Sequence, residues 1–178
     1  MDKKPLEIEY KFLIEMPDLK VLEAQPDFTE KKLCQMYLEL PLGFSEFGTR
    51  CRIRKIEEQG KVTFIKTFKK DVTDLTRVEI EEEISEEEYT KLSAFLRKGT
   101  APVEKTRLTF SHKNYTCEVD IFPFWSDKAF LEIEVESESV TPPIPDFIRV
   151  TKDVSKDKSY RNSSIAKMLF NHSFNTKK

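Results

Sequence analysis

The chain has 178 residues, 35% of them charged, yet its 30 basic and 32 acidic side chains leave a net charge of only −2. That length suits one domain over 1–178 with a sizeable core and a frayed C-terminal tip. The balance of signs excludes a nucleic-acid binder driven by bulk positive charge.

From Asp2 onward the N-terminal residues mix charges without an apolar run of signal-peptide type, and no later segment reaches membrane-spanning length, so a cytoplasmic location is expected. The first element is the pentad Glu7-Ile8-Glu9-Tyr10-Lys11. Read as a strand, it places Glu7, Glu9 and Lys11 on one face, because side chains at i, i+2 and i+4 point together. Pro17 to Leu22 reads as a short helix. Arg52 and Arg54 then flank Ile53, and Arg77, Glu79, Glu81 and Glu83 alternate with Val78, Ile80 and Glu82. Ser85-Glu86-Glu87-Glu88 has the capping-box pattern and opens a helix with Tyr89, Leu92, Phe95 and Leu96 on one side, ending at Gly99. Charged alternation resumes at Lys105 and Arg107, at Glu118 and Asp120, and at Glu132, Glu134 and Glu136. Pro142, Pro143 and Pro145 mark a rigid turn, and Ser159 to Phe170 offers Tyr160, Ile165, Met168 and Leu169 for packing.

At least six strands thus carry one charged and one largely apolar face. In an open sheet the charged faces are wet and the apolar faces rest on helices. In a closed barrel both signs line the interior, which small barrels otherwise fill with apolar side chains, so the lining is a site. With only His112 and His172 in the chain, a histidine triad or a His-ligated zinc has little to draw on. Cys34, Cys51 and Cys117 stand far apart with no CxxC spacing and read as buried thiols of a reducing compartment, not as a disulfide framework or zinc site. Clustered carboxylates without imidazole or thiolate select hard cations such as Mg2+ or Mn2+. Arg and Lys beside such a metal match phosphate oxygens. Together they point to a metal-bound polyphosphate.

The ExExK pentad is followed in order by Gln35-Met36-Tyr37-Leu38, Arg52-Ile53-Arg54, Thr63-Phe64-Ile65-Lys66, Arg77-Val78-Glu79-Ile80-Glu81, Glu104-Lys105-Thr106-Arg107, Glu118-Val119-Asp120-Ile121-Phe122, Leu131-Glu132-Ile133-Glu134, and Tyr160-Arg161-Asn162 with Ile165-Ala166. In this succession the chain resembles a CYTH-domain protein of the triphosphate tunnel metalloenzyme superfamily, which includes class IV adenylyl cyclases and thiamine triphosphatases. The resemblance implies an α+β fold: a closed, antiparallel, eight-stranded β-barrel with a charged interior and helices packed outside. It implies metal ligation by Glu7, Glu9, Glu132 and Glu134, with Asp120 serving the metal or its waters. It implies substrate contacts from Lys11, Arg52, Arg54, Lys66, Arg77, Lys105 and Arg107, with Glu7, Glu9, Lys11, Arg52 and Lys105 closest to the chemistry. For Glu79 and Glu81 two roles stand open, pairing with the basic residues or contact with metal or water.

Two departures stand out. Thr67 to Asp74 replaces the glycine-rich turn of many relatives, so that hairpin must be built differently. Ser159 occupies a place where relatives often carry arginine, and Arg161, Lys156 or Lys158 could supply the missing contact. The His-Phe pair that cyclases of this group carry ahead of ExExK is absent, which favours hydrolysis, with inorganic triphosphate first because phosphate contacts alone define the site. Thiamine triphosphate hydrolysis, adenylyl cyclisation and non-catalytic polyphosphate or nucleotide sensing are the alternatives. The expected partner is a small-molecule triphosphate, with no nucleic acid and no membrane, for a monomer or homodimer.

Overall fold

Strands β1 (Leu6–Glu15), β2 (Thr29–Glu39), β3 (Arg50–Glu58), β4 (Lys61–Asp71), β5 (Thr76–Ile84), β6 (Val103–His112), β7 (Tyr115–Ile121), β8 (Lys128–Glu134) and β9 (Val150–Asp153) form one sheet. Helices α1 (Leu19–Glu23), α2 (Glu86–Ser93) and α3 (Asn162–Asn175) interrupt or follow them. The computed structural model describes residues 6–44 and 50–175, apart from the side chains of 6, 50, 69–71, 77 and 173–175. Among the described residues no helix is long and apolar enough to cross a membrane.

All pairings are antiparallel, in the order β5-β4-β3-β2-β6-β7-β8-β1-β9. This corrects the expected closed eight-stranded barrel. Among the described residues the sheet has nine strands, and its end strand β5 touches β1 over three residue pairs, Leu6 with Val78, Glu7 with Arg77 and Ile8 with Thr76. Farther along, the same edge of β1 is taken by β9 at Phe12, Leu13 and Ile14. One strand edge cannot pair with two neighbours at the same residues, so β9 excludes β5 there and the sheet is rolled without being closed along its length.

The period-2 alternation decides which side chains face which layer. On the outer face, Phe12, Ile14, Leu108, Phe110, Val119, Leu131 and Ile133 pack with Leu22 of α1, and Leu38, Cys51, Ile53, Phe68 and Ile84 pack with Leu92 of α2. A third cluster shares the inner face with the charges. Leu13 lies two residues beyond Lys11, Val103 two before Lys105 and Phe130 two before Glu132, and these meet Phe122 and Val154 beneath Ile165 and Ala166 of α3. Helix α3 therefore plugs one end of the inner face with apolar side chains.

Helix α2 starts where its cap predicts: Glu88 N donates to Ser85 Oγ at 3.1 Å, a contact contributing about 1 kcal/mol. It ends six residues before Gly99, the expected terminus. Glu39 N donates to Phe95 O at 3.0 Å, Arg97 N donates to Tyr37 O at 2.9 Å, and Leu96 bridges Leu38. Pairing with the end of β2 pulls the chain out of the helix. The β4–β5 connection is made without glycine. Amides of Leu75 and Thr76 donate to Thr73 Oγ1 at 3.1 and 2.9 Å, and Val72 and Thr73 amides donate to Thr76 O.

Candidate active site

A cavity of about 640 Å3 occupies the inner face. Of the residues anticipated from sequence, Glu7, Glu9, Lys11, Arg52, Arg54, Lys105, Arg107, Glu132, Glu134 and Arg161 all line it. They come together because the strand registers align them: Glu9 opposite Glu134, Lys11 opposite Glu132, Glu118 opposite Glu132, and Arg107 opposite Asp120.

Three residues stand differently. Lys66 is on the outer face. The register sets Arg52 opposite Thr67, so Thr67 shares the inner face and its neighbour Lys66 points away, where Nζ pairs with Glu82 Oε2 at 2.9 Å and Glu88 Oε1 at 2.8 Å. Asp120 points inward but is wholly buried and does not line the cavity. Its Oδ2 accepts from Lys105 Nζ and from Arg107 Nη2, and Oδ1 accepts from Arg107 Nε at 2.7 Å. A carboxylate so occupied positions the two cations. The side chain of Arg77 lies outside the described residues, and its backbone pairs with Glu7.

The cations are tied to carboxylates beneath them. Lys11 Nζ is 2.8 Å from Glu132 Oε1 and 4.1 Å from the centre of the Phe130 ring. Arg107 Nη2 donates to Glu132 Oε2 at 2.6 Å, and Nη1 pairs with Glu118. On the other wall Glu81 Oε1 accepts from Arg54 Nη2 at 2.5 Å, Thr67 Oγ1 at 2.8 Å and Arg52 Nη2 at 3.2 Å, while Glu79 Oε2 is 3.7 Å from Arg52. Both Glu79 and Glu81 are thus paired with the basic residues of this wall. The Nε atoms of Arg52 and Arg54 are buried and have no hydrogen-bond partner.

Charge is nonetheless unbalanced locally, in opposite senses at two places. Burial and the neighbouring Arg52 pull Arg54 down to about 10. Burial and Arg107 pull Lys105 down to about 8 against the opposing attraction of Asp120 and Glu132. Across the cavity, burial and the carboxylates of Glu7 and Glu118 raise Glu134. Glu132 is held well below the usual range, its burial outweighed by Lys11 and Arg107. Burial is the larger cause of the shifts at Arg54, Lys105 and Glu134, and like charges add to it: Arg52 beside Arg54, Arg107 beside Lys105, and an acidic pole of Glu7 and Glu118 beside Glu134.

Sequence reasoning left several lining residues without a role. Glu118 was visible in the alternation of β7. Arg97, from the α2–β6 connection, Ser155 and Asp157, from the segment leading into α3, and Asn162 and Ser163, the first residues of α3, belong to no strand. Ser155 is fixed to β1: Lys11 N donates to its Oγ at 2.9 Å. At the Ser159 departure the hydroxyl and amide of Ser159 both donate to Asp157 Oδ1, at 2.6 and 3.1 Å. Of the three expected substitutes only Arg161 reaches the cavity wall. The histidines stay out of it, as do Phe122, Phe124 and Trp125: Trp125 packs edge-to-face with Phe122, Phe124 and Phe130, and Phe122 lies tilted on Phe124.

No curated protein sequence matches the chain. Among solved structures, the hypothetical protein NE1496 is 26% identical, with 90% of this chain and 97% of that one covered at a TM-score of 0.52. A second structure, described as the inorganic triphosphatase NE1496, is 24% identical over 90% and 94% at the same TM-score. PH1819 of Pyrococcus horikoshii OT3 shares the fold at 21% identity, 93% and 89% coverage and a TM-score of 0.54. The CYTH domain model matches residues 5–151, the span that supplies eight of the nine strands and nearly all of the charged lining, and the chain belongs to the CYTH domain family.

Proposed function

We propose that the protein is a divalent-metal-dependent hydrolase of inorganic triphosphate. The observation that carries this reading is one cavity lined both by the clustered cations Lys11, Arg52, Arg54, Lys105 and Arg107 and by the clustered carboxylates Glu7, Glu9, Glu118 and Glu134. A polyanion relieves the first and a cation the second. Neither ligand alone suits both.

Among the described residues no three His, Cys, Asp or Glu side chains form a ready-made metal cage. That fits Mg2+, which keeps several waters and is bound through one or two carboxylates plus substrate phosphates. Glu7, Glu9 and Glu134 are the residues that would hold it. Glu132 and Asp120 have their oxygens committed to Lys11, Lys105 and Arg107. When bound, the metal supplies Lewis-acid polarisation of phosphate oxygens and a more acidic coordinated water.

The chain's own residues do the positioning. Arg52 and Arg54 on one wall and Lys11, Lys105 and Arg107 on the other bind the phosphates and neutralise charge spreading over the terminal group as a water attacks in line. A carboxylate of the Glu7, Glu118 and Glu134 group takes that water's proton. Among the described residues the cavity lining contains two aromatics, Tyr37 and Tyr160, while Trp125 and its neighbours pack elsewhere. A lining made mostly of charged groups favours an all-phosphate substrate.

Phosphate release from inorganic triphosphate, thiamine triphosphate and ATP, each with Mg2+, Mn2+ or chelator, tests the proposal. Metal-dependent release strongly favouring inorganic triphosphate is expected. Cyclic AMP and pyrophosphate from ATP would instead mean a cyclase, and binding without turnover would mean a sensor.

The lowered Lys105 adds a pH dependence. Its folded value of about 8 lies below the ordinary 10.5, so above pH 8 the folded protein loses this cation and its phosphate contact. KM for triphosphate is expected to climb above pH 8, by up to about tenfold per pH unit. Lys105→Arg, which stays charged, should flatten that limb; an equal rise in this variant would remove Lys105 as its cause. The stability term runs oppositely: charging buried Lys105 disfavours folding below pH 8, and that penalty fades between pH 8 and 10.5.

A further inference from the structure

Besides Arg161, a second cation of the cavity wall takes no part in phosphate binding as described so far. Arg97 lies in the connection between α2 and β6, yet lines the cavity. The connection is built around it. Arg97 N donates to Tyr37 O at 2.9 Å, and Arg97 O accepts from Thr100 N at 3.2 Å and from Thr100 Oγ1 at 2.6 Å. Gly99 takes a positive φ of 73° to turn the chain back, a conformation open to glycine at little cost. Ala101 N then donates to Ala166 O of α3 at 2.9 Å. The backbone of Arg97 is thus pinned to β2, to its own turn and, through Ala101, to the plugging helix.

Its guanidinium carbon stands 5.8 Å from the centre of the Tyr37 ring. Lys11, Arg52, Arg54, Lys105 and Arg107 each have a carboxylate partner. Among the described residues Arg97 has none. A guanidinium held over an aromatic face on a pinned turn, without a counter-ion, is set to receive an anion from outside, and its planar fork matches a phosphate. The Tyr37 ring packs against the apolar cluster of Phe122, Phe130, Ile165 and Ala166, so the space behind it is filled by protein side chains.

We infer that Arg97 is a substrate-anchoring residue that binds an unsubstituted terminal phosphate at the α3-plugged end of the cavity. This rests on the triphosphate reading. Arg97→Ala and Arg97→Gln are expected to raise KM for inorganic triphosphate about 10- to 100-fold, the worth of one charge-assisted contact, with kcat changed by less than about twofold. Calorimetric binding of inorganic triphosphate to chelator-treated protein should weaken by the same factor, Arg97→Lys should recover part of it, and the melting temperature should hold. An unchanged KM and affinity in both variants, with or without a lower melting temperature, would reduce Arg97 to a packing residue on Tyr37. A loss in kcat alone would also overturn the anchoring role. Wild-type protein that neither hydrolyses nor binds inorganic triphosphate would overturn the functional reading itself, so the two failures are distinct.

Discussion

Glu7→Gln and Glu9→Gln are each expected to cut metal-dependent triphosphate turnover by about 100-fold or more while leaving the fold intact. The magnitude follows from the several kilocalories per mole that a bound divalent ion contributes to a phosphoryl-transfer transition state, at about 1.4 kcal/mol per tenfold in rate. Both residues face the cavity from β1, and Glu7 is one of the carboxylates that raise Glu134. Neutralising it relieves repulsion, so stability should hold or rise slightly. The diagnostic reading is a metal titration in which the half-saturating Mg2+ or Mn2+ concentration rises along with the fall in kcat/KM. Full activity at unchanged metal concentration in both variants would dissolve the acidic pole as a metal site.

The second large effect is on stability. Asp120 is completely buried and receives three hydrogen bonds from Lys105 and Arg107. Asp120→Ala leaves two buried cations without their main counter-charge, a change that typically costs about 3–5 kcal/mol. At about 2–4 °C per kcal/mol for a chain of this size, the melting temperature should fall by roughly 10 °C. A drop of less than about 1 kcal/mol in chemical denaturation would show that Glu132 and Glu118 hold the cations alone. Acid should act on the same network. Asp120 and Glu132 are both held below their ordinary values of 3.8 and 4.5. Their stabilisation is therefore complete above that range and drains away as pH falls through it towards the lowered folded values. In Asp120→Ala that acid-sensitive component should shrink.

Much of the site is legible in the chain because a strand carries its two faces in alternate residues. Glu7, Glu9 and Lys11, Arg52 and Arg54, Lys105 and Arg107, and Glu132 and Glu134 announce a charged face wherever they occur, and no register shift short of one residue can turn them away from one another. Lys66 shows where the rule loses its grip. In Thr63-Phe64-Ile65-Lys66-Thr67 the apolar residues are adjacent, both parities carry a polar member, and only the ladder with β3 and β5 decides that Thr67 faces the cavity and Lys66 faces Glu82 and Glu88. Asp120 has the right parity and a different depth, and depth is not a property of a strand's pattern.

Sequence alone determined that the strands carry one charged and one apolar face, and that α2 has a capped start, since each follows from side-chain periodicity or from bonds spanning four residues. Tertiary structure alone decided that β9 takes the edge β5 would need for full closure, that α2 yields to β2 after Ser93, and that Arg97 enters the cavity. Those outcomes are competitions between segments far apart in the chain for the same strand edge or the same space, and local periodicity holds no record of which competitor wins.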